Sequence, residues 1–351
     1  MGIESLGELL FVGFDGVEVD QELRSFLLEI RPGGIILFKR NIIDSAQTLR
    51  LITDIHGLYE PRPNVAVDEE GGRVSRLAHI GATLPPASHL AGRIGADGVR
   101  ALARGLGRMI AALGFDLDFA PVVDLSPPEA CNGIGDRSFG PDPGRAALLA
   151  GAYLEGLTEA GVLGCLKHFP GLGPTASDSH HDLPTIRKGE LDFLREDLAP
   201  YRRLHRATPA IMVGHGHYPF LAGSEPVAAT LVPRIATGLL REGIGFRGLA
   251  VADDLEMKAV ADHVGFDELA PRVIEAGCDM VLVCRSREAI AASRRAVERW
   301  VEDGRLSRDR VALALSRVRS LRGAVPPRPP ADRKSFDKAE ADLRSRVDAI
   351  A

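Results

Sequence analysis

Short apolar runs recur along the chain, and most are followed by a stretch with helical spacing. The runs at 9–14, 33–38, 64–67, 115–123, 162–166, 210–213, 248–252 and 280–283 read as buried strands. Helical periodicity covers 20–30, 45–58, 97–113 (closed by Gly114), 143–160, 190–206, 232–242, 269–276, 287–300 and 307–321. Residues 78–92 read as a loop, and a long irregular loop follows the fourth strand. Eight strands alternating with helices predict an α/β fold with a parallel sheet, and eight strands close a (β/α)8 TIM-type barrel. The competing architecture, an open doubly wound sheet, would leave two edges, and no Gly-x-Gly-x-x-Gly follows the first strand to support it. The expectation is therefore a single-domain barrel over residues 1–325. A proline-rich break begins at Pro326, and the charged tail to residue 351 is either a surface helix or a disordered end.

Polar residues gather where these strands stop. Lys39, Asp68, Lys167, His168, His215, Asp253 and Arg285 all follow the apolar runs. In a barrel those ends share one face, and that face carries the chemistry. The fifth strand runs into Lys167-His168-Phe169-Pro170-Gly171-Leu172-Gly173, and Asp178, His180 and His181 follow within one loop. A cationic pair, a carboxylate and two histidines suit an anionic or polyhydroxylated ligand and the movement of protons. Plainer roles fit some of these residues as well. Asp253 is suited to capping the next helix. Lys167 and His168 can pair with acids at the rim, Arg137 can anchor its loop, and Glu70 with Arg73 can form a buried structural pair. His215-x-His217 has the look of a metal pair, but no third ligand has the right spacing, so no metal and no organic cofactor is expected.

Bulk composition narrows the setting. Of the 351 residues, 26% are charged and 45% hydrophobic, an ordinary globular balance. A net charge of −5 gives no case for a nucleic-acid or membrane partner. Cys131, Cys165, Cys278 and Cys284 are scattered without a Cys-x-x-Cys pair, as expected of free thiols in a reducing compartment. The opening Met-Gly-Ile-Glu-Ser-Leu-Gly-Glu lacks a basic region and makes a poor signal peptide, and no apolar run reaches membrane-spanning length. A cytoplasmic monomer is the expectation.

Several long motifs then occur in a telling order. They are Gly34-Ile-Ile-Leu-Phe-Lys-Arg-Asn41, Asp68-Glu-Glu-Gly-Gly-Arg-Val-Ser-Arg76, Phe119-Ala-Pro-Val-Val-Asp124, Gly135-Asp-Arg-Ser-Phe-Gly140, Lys167-His-Phe-Pro-Gly171 with Asp178-Ser-His180, and Asp253-Asp-Leu-Glu-Met257. Over most of its length the chain resembles the glycoside hydrolase family 3 β-N-acetylhexosaminidases, bacterial enzymes of cell-wall recycling. The resemblance implies Asp253 as nucleophile, His180 as general acid/base with Asp178 as its carboxylate partner, and Asp68, Arg76, Arg137, Lys167 and His168 as sugar-binding positions. It implies a small-molecule carbohydrate substrate, an N-acetylglucosaminyl saccharide or muropeptide, cleaved by double displacement without a cofactor. A phosphorylase on the same scaffold, a metal-dependent barrel hydrolase and a non-catalytic sugar-binding protein are the alternatives. Leu172 stands where the family usually has a second histidine, and Asp68-Glu69-Glu70 replaces the commoner Asp-Gln-Glu.

Overall fold

In the computed structural model, which describes residues 3–130, 133–173 and 183–350, the strands close into a parallel barrel. In chain order they are β1 (Leu10–Val12), β2 (Gly34–Leu37), β3 (Asn64–Val67), β4 (Leu117–Asp118), β5 (Leu163–Phe169), β6 (Ala210–Val213), β7 (Leu249–Asp254) and β8 (Met280–Val283). Each pairs with its neighbours in sequence, and β1 pairs with β8 through Leu10–Val281, Phe11–Leu282 and Val12–Val283. The protein is thus a (β/α)8 barrel, as its pattern of eight runs predicts.

Side chains alternate across the barrel wall with the strand period of two. On β2, Ile36 points into the barrel while Ile35 and Leu37 join the outer layer beneath the helices. The interior is filled by Phe11, Phe119, Leu163, Cys165, Met212 and Val251 among others, with Phe11 and Phe119 meeting edge to face at 5.3 Å. Gly34 makes room for this: a Cβ there would lie 2.3 Å from the Phe11 ring.

Departures from the sequence pattern have local causes. The fourth run forms a regular strand only over Leu117–Asp118, because Pro121 has no N–H to donate. Its carbonyl still accepts from Lys167 N, and Val123 N still reaches Lys167 O at 2.8 Å, so the segment follows β5 irregularly. The expected loop at 78–92 contains a short helix, Ala87–Arg93. The expected helix at 190–206 divides into Glu190–Arg195 and Ala199–Leu204, the second started by Pro200 in its first turn. The tail forms the Arg333–Asp348 helix, capped by Asp332 through Ser335 N, and buries Phe336, Ala339 and Leu343 against the Ala96–Leu113 helix.

At the face where the strands begin, Asp116 ties distant segments together. It accepts from His56 Nε2 at 3.1 Å, from both Arg62 nitrogens at 3.0 and 3.1 Å, from Arg328 Nη2 at 2.7 Å and from Val65 N at 2.9 Å. Burial alone would raise its carboxyl, but the bonds from His56 and Arg62 bring it down to about 2.

Candidate active site

At the opposite face, beyond the C-terminal ends of the strands, lies a cavity of about 350 Å³. β3 brings Asp68 to its wall, and the chain then makes a tight hairpin with arms Glu69–Gly71 and Val74–Ser75. Gly71 and Gly72 turn it at φ of 99° and 54°, and a Cβ on Gly71 would lie 2.8 Å from the Leu84 carbonyl oxygen. Glu69 points away from the cavity and holds the hairpin by accepting from Arg76 N, Leu77 N and the Ser75 hydroxyl. Asp68 and Glu70, two residues apart, both face the cavity.

Those two carboxylates organise three cations. Lys167 Nζ lies 2.8 Å from Asp68 Oδ1 and 2.6 Å from Glu70 Oε1. Arg137 grips Glu70 with two parallel bonds, Nε to Oε2 at 2.7 Å and Nη2 to Oε1 at 2.8 Å. Arg76 Nη2 reaches Asp68 Oδ2 at 3.4 Å, and its guanidinium lies over the Phe38 ring. Burial would raise the Asp68 and Glu70 carboxyls, but Lys167 with Arg76, and Arg137 with Lys167, hold them below the ordinary range. Lys167 answers in kind: burial disfavours its charge, and the two acids more than restore it.

His168 is fixed from behind. Asp124 Oδ2 accepts from its Nδ1 at 2.7 Å, and the same carboxylate takes the backbone N–H groups of His168 and Leu172. With Nδ1 carrying the proton toward Asp124, Nε2 is the nitrogen turned to the cavity. Asp253, at the end of β7, shares that cavity. Burial would raise its carboxyl, but His168, His215, the Asp254 N–H and Lys167 hold it below the ordinary value, so it is ionised at neutral pH. Neighbouring Asp254 behaves oppositely. Burial pushes it up to about 7, and its Oδ1 caps Glu256 N and Cys284 N.

Asp68, Arg76, Arg137, Lys167, His168 and Asp253 therefore line one cavity. Asp178 and His180 lie outside the described residues. Lys39 is exposed and Arg285 pairs with Asp15 at the surface, so neither joins the cavity despite following a strand. Glu70, read from sequence as a structural partner of Arg73, instead pairs with Arg137 and Lys167 in the cavity, while Arg73 pairs with Asp136; Asp124 was given no role by sequence reasoning. His215 is a structural residue, bonded to Thr230 Oγ1 at 2.9 Å and the Asp254 carbonyl at 3.0 Å. His217 bonds the Val227 backbone. Among the described residues, no three His, Cys, Asp or Glu side chains converge as metal ligands. Leu172 packs against Val122 and Ile134 and forms part of the cavity wall.

The model of the glycosyl hydrolase family 3 N-terminal domain matches residues 3–321. The chain belongs to glycosyl hydrolase family 3. It is 39% identical over 335 residues to the β-hexosaminidase LpqI of Mycobacterium tuberculosis, covering 92% of this chain and 83% of that one. NagZ from Neisseria gonorrhoeae, solved in complex with N-trifluoroacetyl-D-glucosamine, superposes with a TM-score of 0.79 at 29% identity, over 97% of each chain. A fungal multi-domain family 3 β-N-acetylglucosaminidase gives a TM-score of 0.92 at 29% identity, over 99% of this chain but only 43% of that longer one. This family 3 chain is a glycosidase. No helix among its described residues is long and apolar enough to cross a membrane.

Proposed function

We propose that this glycosidase is a retaining exo-β-N-acetylglucosaminidase that removes terminal β-linked N-acetylglucosamine from peptidoglycan-derived muropeptides. The observation that carries the reading is an ionised Asp253 facing the same cavity as Asp68, Arg76, Arg137, Lys167 and His168. Asp68 is suited to accept two sugar hydroxyls, while Arg76, Arg137, Lys167 and His168 donate to the remaining oxygens. The names of LpqI and NagZ, and the N-acyl glucosamine bound to the latter, support an acetamido sugar.

In the first step an Asp253 oxygen attacks the anomeric carbon. The bond to the aglycone oxygen breaks, and His180 gives that oxygen its proton. In the second, water attacks the glycosyl-enzyme, His180 takes the water proton, and the bond to Asp253 breaks. Histidine, with an ordinary pKa of roughly 6.5, changes charge near neutral pH without burial to tune it. Asp178 orients the ring and stabilises the imidazolium, as a carboxylate does in hydrolase triads. The His180 and Asp178 roles rest on the Asp178-Ser179-His180 motif. A reducing, cytoplasmic setting is part of the reading, supported by the free, buried thiols of Cys165, Cys278 and Cys284.

The test compares an aryl β-N-acetylglucosaminide with the matching β-glucoside, each with and without phosphate and EDTA. Turnover of the acetamido sugar alone, with N-acetylglucosamine as product and no effect of EDTA, is expected. A sugar 1-phosphate product would make the protein a phosphorylase instead. Loss of activity with EDTA would return the metal-dependent reading.

A further inference from the structure

The bonds that hold His215 end on the strand that carries Asp253, a residue the barrel ladder leaves out. On one side β6 stops with Val213 opposite Ala252. On the other, β8 pairs Val281 with Ala252 and then Leu282 with Asp254. A residue skipped in this way has its side chain re-aimed, and the ladder itself does not fix that aim. The next residue is held instead. Asp254 donates its N–H to Asp253 Oδ1 at 2.8 Å. Its carbonyl accepts from Met257 N at 3.1 Å and from His215 Nε2 at 3.0 Å. Its own Oδ1 accepts from Glu256 N and Cys284 N at 3.1 and 3.2 Å.

His215 can serve that carbonyl in one form only. A carbonyl oxygen accepts and does not donate, so Nε2 carries a proton. Burial lowers the His215 pKa below its ordinary value, which keeps the ring neutral and leaves Nδ1 as a lone pair. That lone pair takes the Thr230 hydroxyl at 2.9 Å, which selects the required tautomer. Thr230 stands in the short turn Ala229–Leu231, tied back beside His215 by a 2.8 Å bond from Ala229 N to the Gly216 carbonyl. Both side chains are fully buried, and neither lines the cavity. An apolar side chain would fill the same space with no ring nitrogens to satisfy. What it could not do is hold the Asp254 peptide from the neighbouring strand.

We infer that Thr230 and His215 are positioning residues for the nucleophile: through the Asp254 backbone they fix Asp253 with Oδ1 engaged and Oδ2 left to attack the anomeric carbon. The inference rests on the nucleophile role proposed above for Asp253. Asp68, Lys167 and His168, proposed to bind the sugar, come from β3 and β5, so binding does not pass through this relay. A nucleophile misplaced by about 1 Å costs on the order of 100-fold in rate.

Kinetics on aryl β-N-acetylglucosaminides with leaving groups of differing acidity separate aim from binding and from acid catalysis. Wild type is compared with Thr230→Val, Thr230→Ser, His215→Asn, His215→Gln, Asp253→Asn and the Thr230→Val, Asp253→Asn double variant. Inhibition by N-acetylglucosamine and thermal unfolding are recorded for each. Thr230→Val is expected to lower kcat/KM about 10-fold or more on good and poor leaving groups alike, with the inhibition constant within about twofold of wild type. His215→Asn, whose shorter amide meets Thr230 but does not reach Asp254, should lose at least as much. Thr230→Ser and His215→Gln, which keep the two donors, should return much of the loss. Added to Asp253→Asn, Thr230→Val should cost nothing further, because the group it aims is gone. An unchanged kcat/KM, a loss matched by weaker sugar binding, or a full further loss in the double variant would each overturn the inference. If Asp253→Asn is itself as active as wild type, the nucleophile assignment fails first and the inference falls with it. His215→Asn decides the matter even if Thr230→Val does not fold.

Discussion

Asp253 shares its cavity with Arg76, Arg137 and Lys167, whose charges are otherwise met by Asp68 and Glu70. Replacing it by Asn therefore removes the proposed nucleophile without leaving a new buried cation unpaired. Asp253→Asn is expected to lower kcat on the order of 10⁴-fold while the unfolding midpoint stays within a few degrees; a residual rate near wild type would count against it as the nucleophile. Glu70→Gln acts differently. It strips Lys167 and Arg137 of a shared partner that is 6% exposed, and breaking such a buried pair costs about 3 kcal/mol. A lowered denaturation midpoint, together with a KM raised more than kcat is lowered, is the expected outcome from urea titration and steady-state kinetics. Most of the cavity was readable from residues that end strands, because a barrel sends all such ends to one face. Glu70 was read as a structural partner of Arg73 although the signal for the cavity was present: in extended chain Asp68 and Glu70 share a side and Glu69 does not. Asp124 escaped for another reason, since its partner His168 lies on a neighbouring strand and no local spacing links them.

At the level of elements, periodicity located every barrel strand and most of the long helices, and missed shorter features between them. The short helix at Ala87–Arg93 begins directly after two prolines and was hidden by them. The tail, left open between a surface helix and a disordered end, forms a helix, and its docking was not expected. Phe336, Ala339 and Leu343 fall at helical spacing in a sequence otherwise rich in charge, and three residues make a narrow stripe. That stripe is nonetheless buried, with Phe336 3% exposed and Leu343 fully covered. Phe336→Ala should destabilise the protein by about 3 kcal/mol by equilibrium unfolding. Because the tail helix does not line the cavity, kcat on an aryl substrate should be unchanged below the unfolding transition. A loss of less than about 0.5 kcal/mol would mean that the tail contributes little to the barrel.

The whole molecule has a charged cluster around Asp116 opposite its site, and that cluster contributes to its acid limit. Asp116 has its carboxyl lowered from 3.8 to about 2 in the folded state. A lowered carboxyl adds stability above its unfolded pKa, and that stability is lost as pH falls from about 4 through about 2. The amount is about 2 kcal/mol. Asp116→Asn should be less stable than wild type at neutral pH, and its stability should fall less between about pH 4 and pH 2. Parallel curves for the two proteins across that range would refute the assignment. Activity should follow a separate limit, because Asp253 is held below 3.8 and stays ionised through mild acid.

The pairing of β1 with β8 joins residues 10–12 to residues 281–283, almost the full span of the barrel sequence. Such a contact closes a very long loop, and loop closure slows folding more than it alters final stability. Ile36 and Phe38 line the cavity on one side of that seam, and Leu282 and Cys284 on the other. On the ribosome, a nascent chain can build hairpins and βα units early, but it cannot complete this pocket before residue 284 has emerged. Competence to bind sugar is therefore acquired late and all at once, so ligand binding should report barrel closure during refolding.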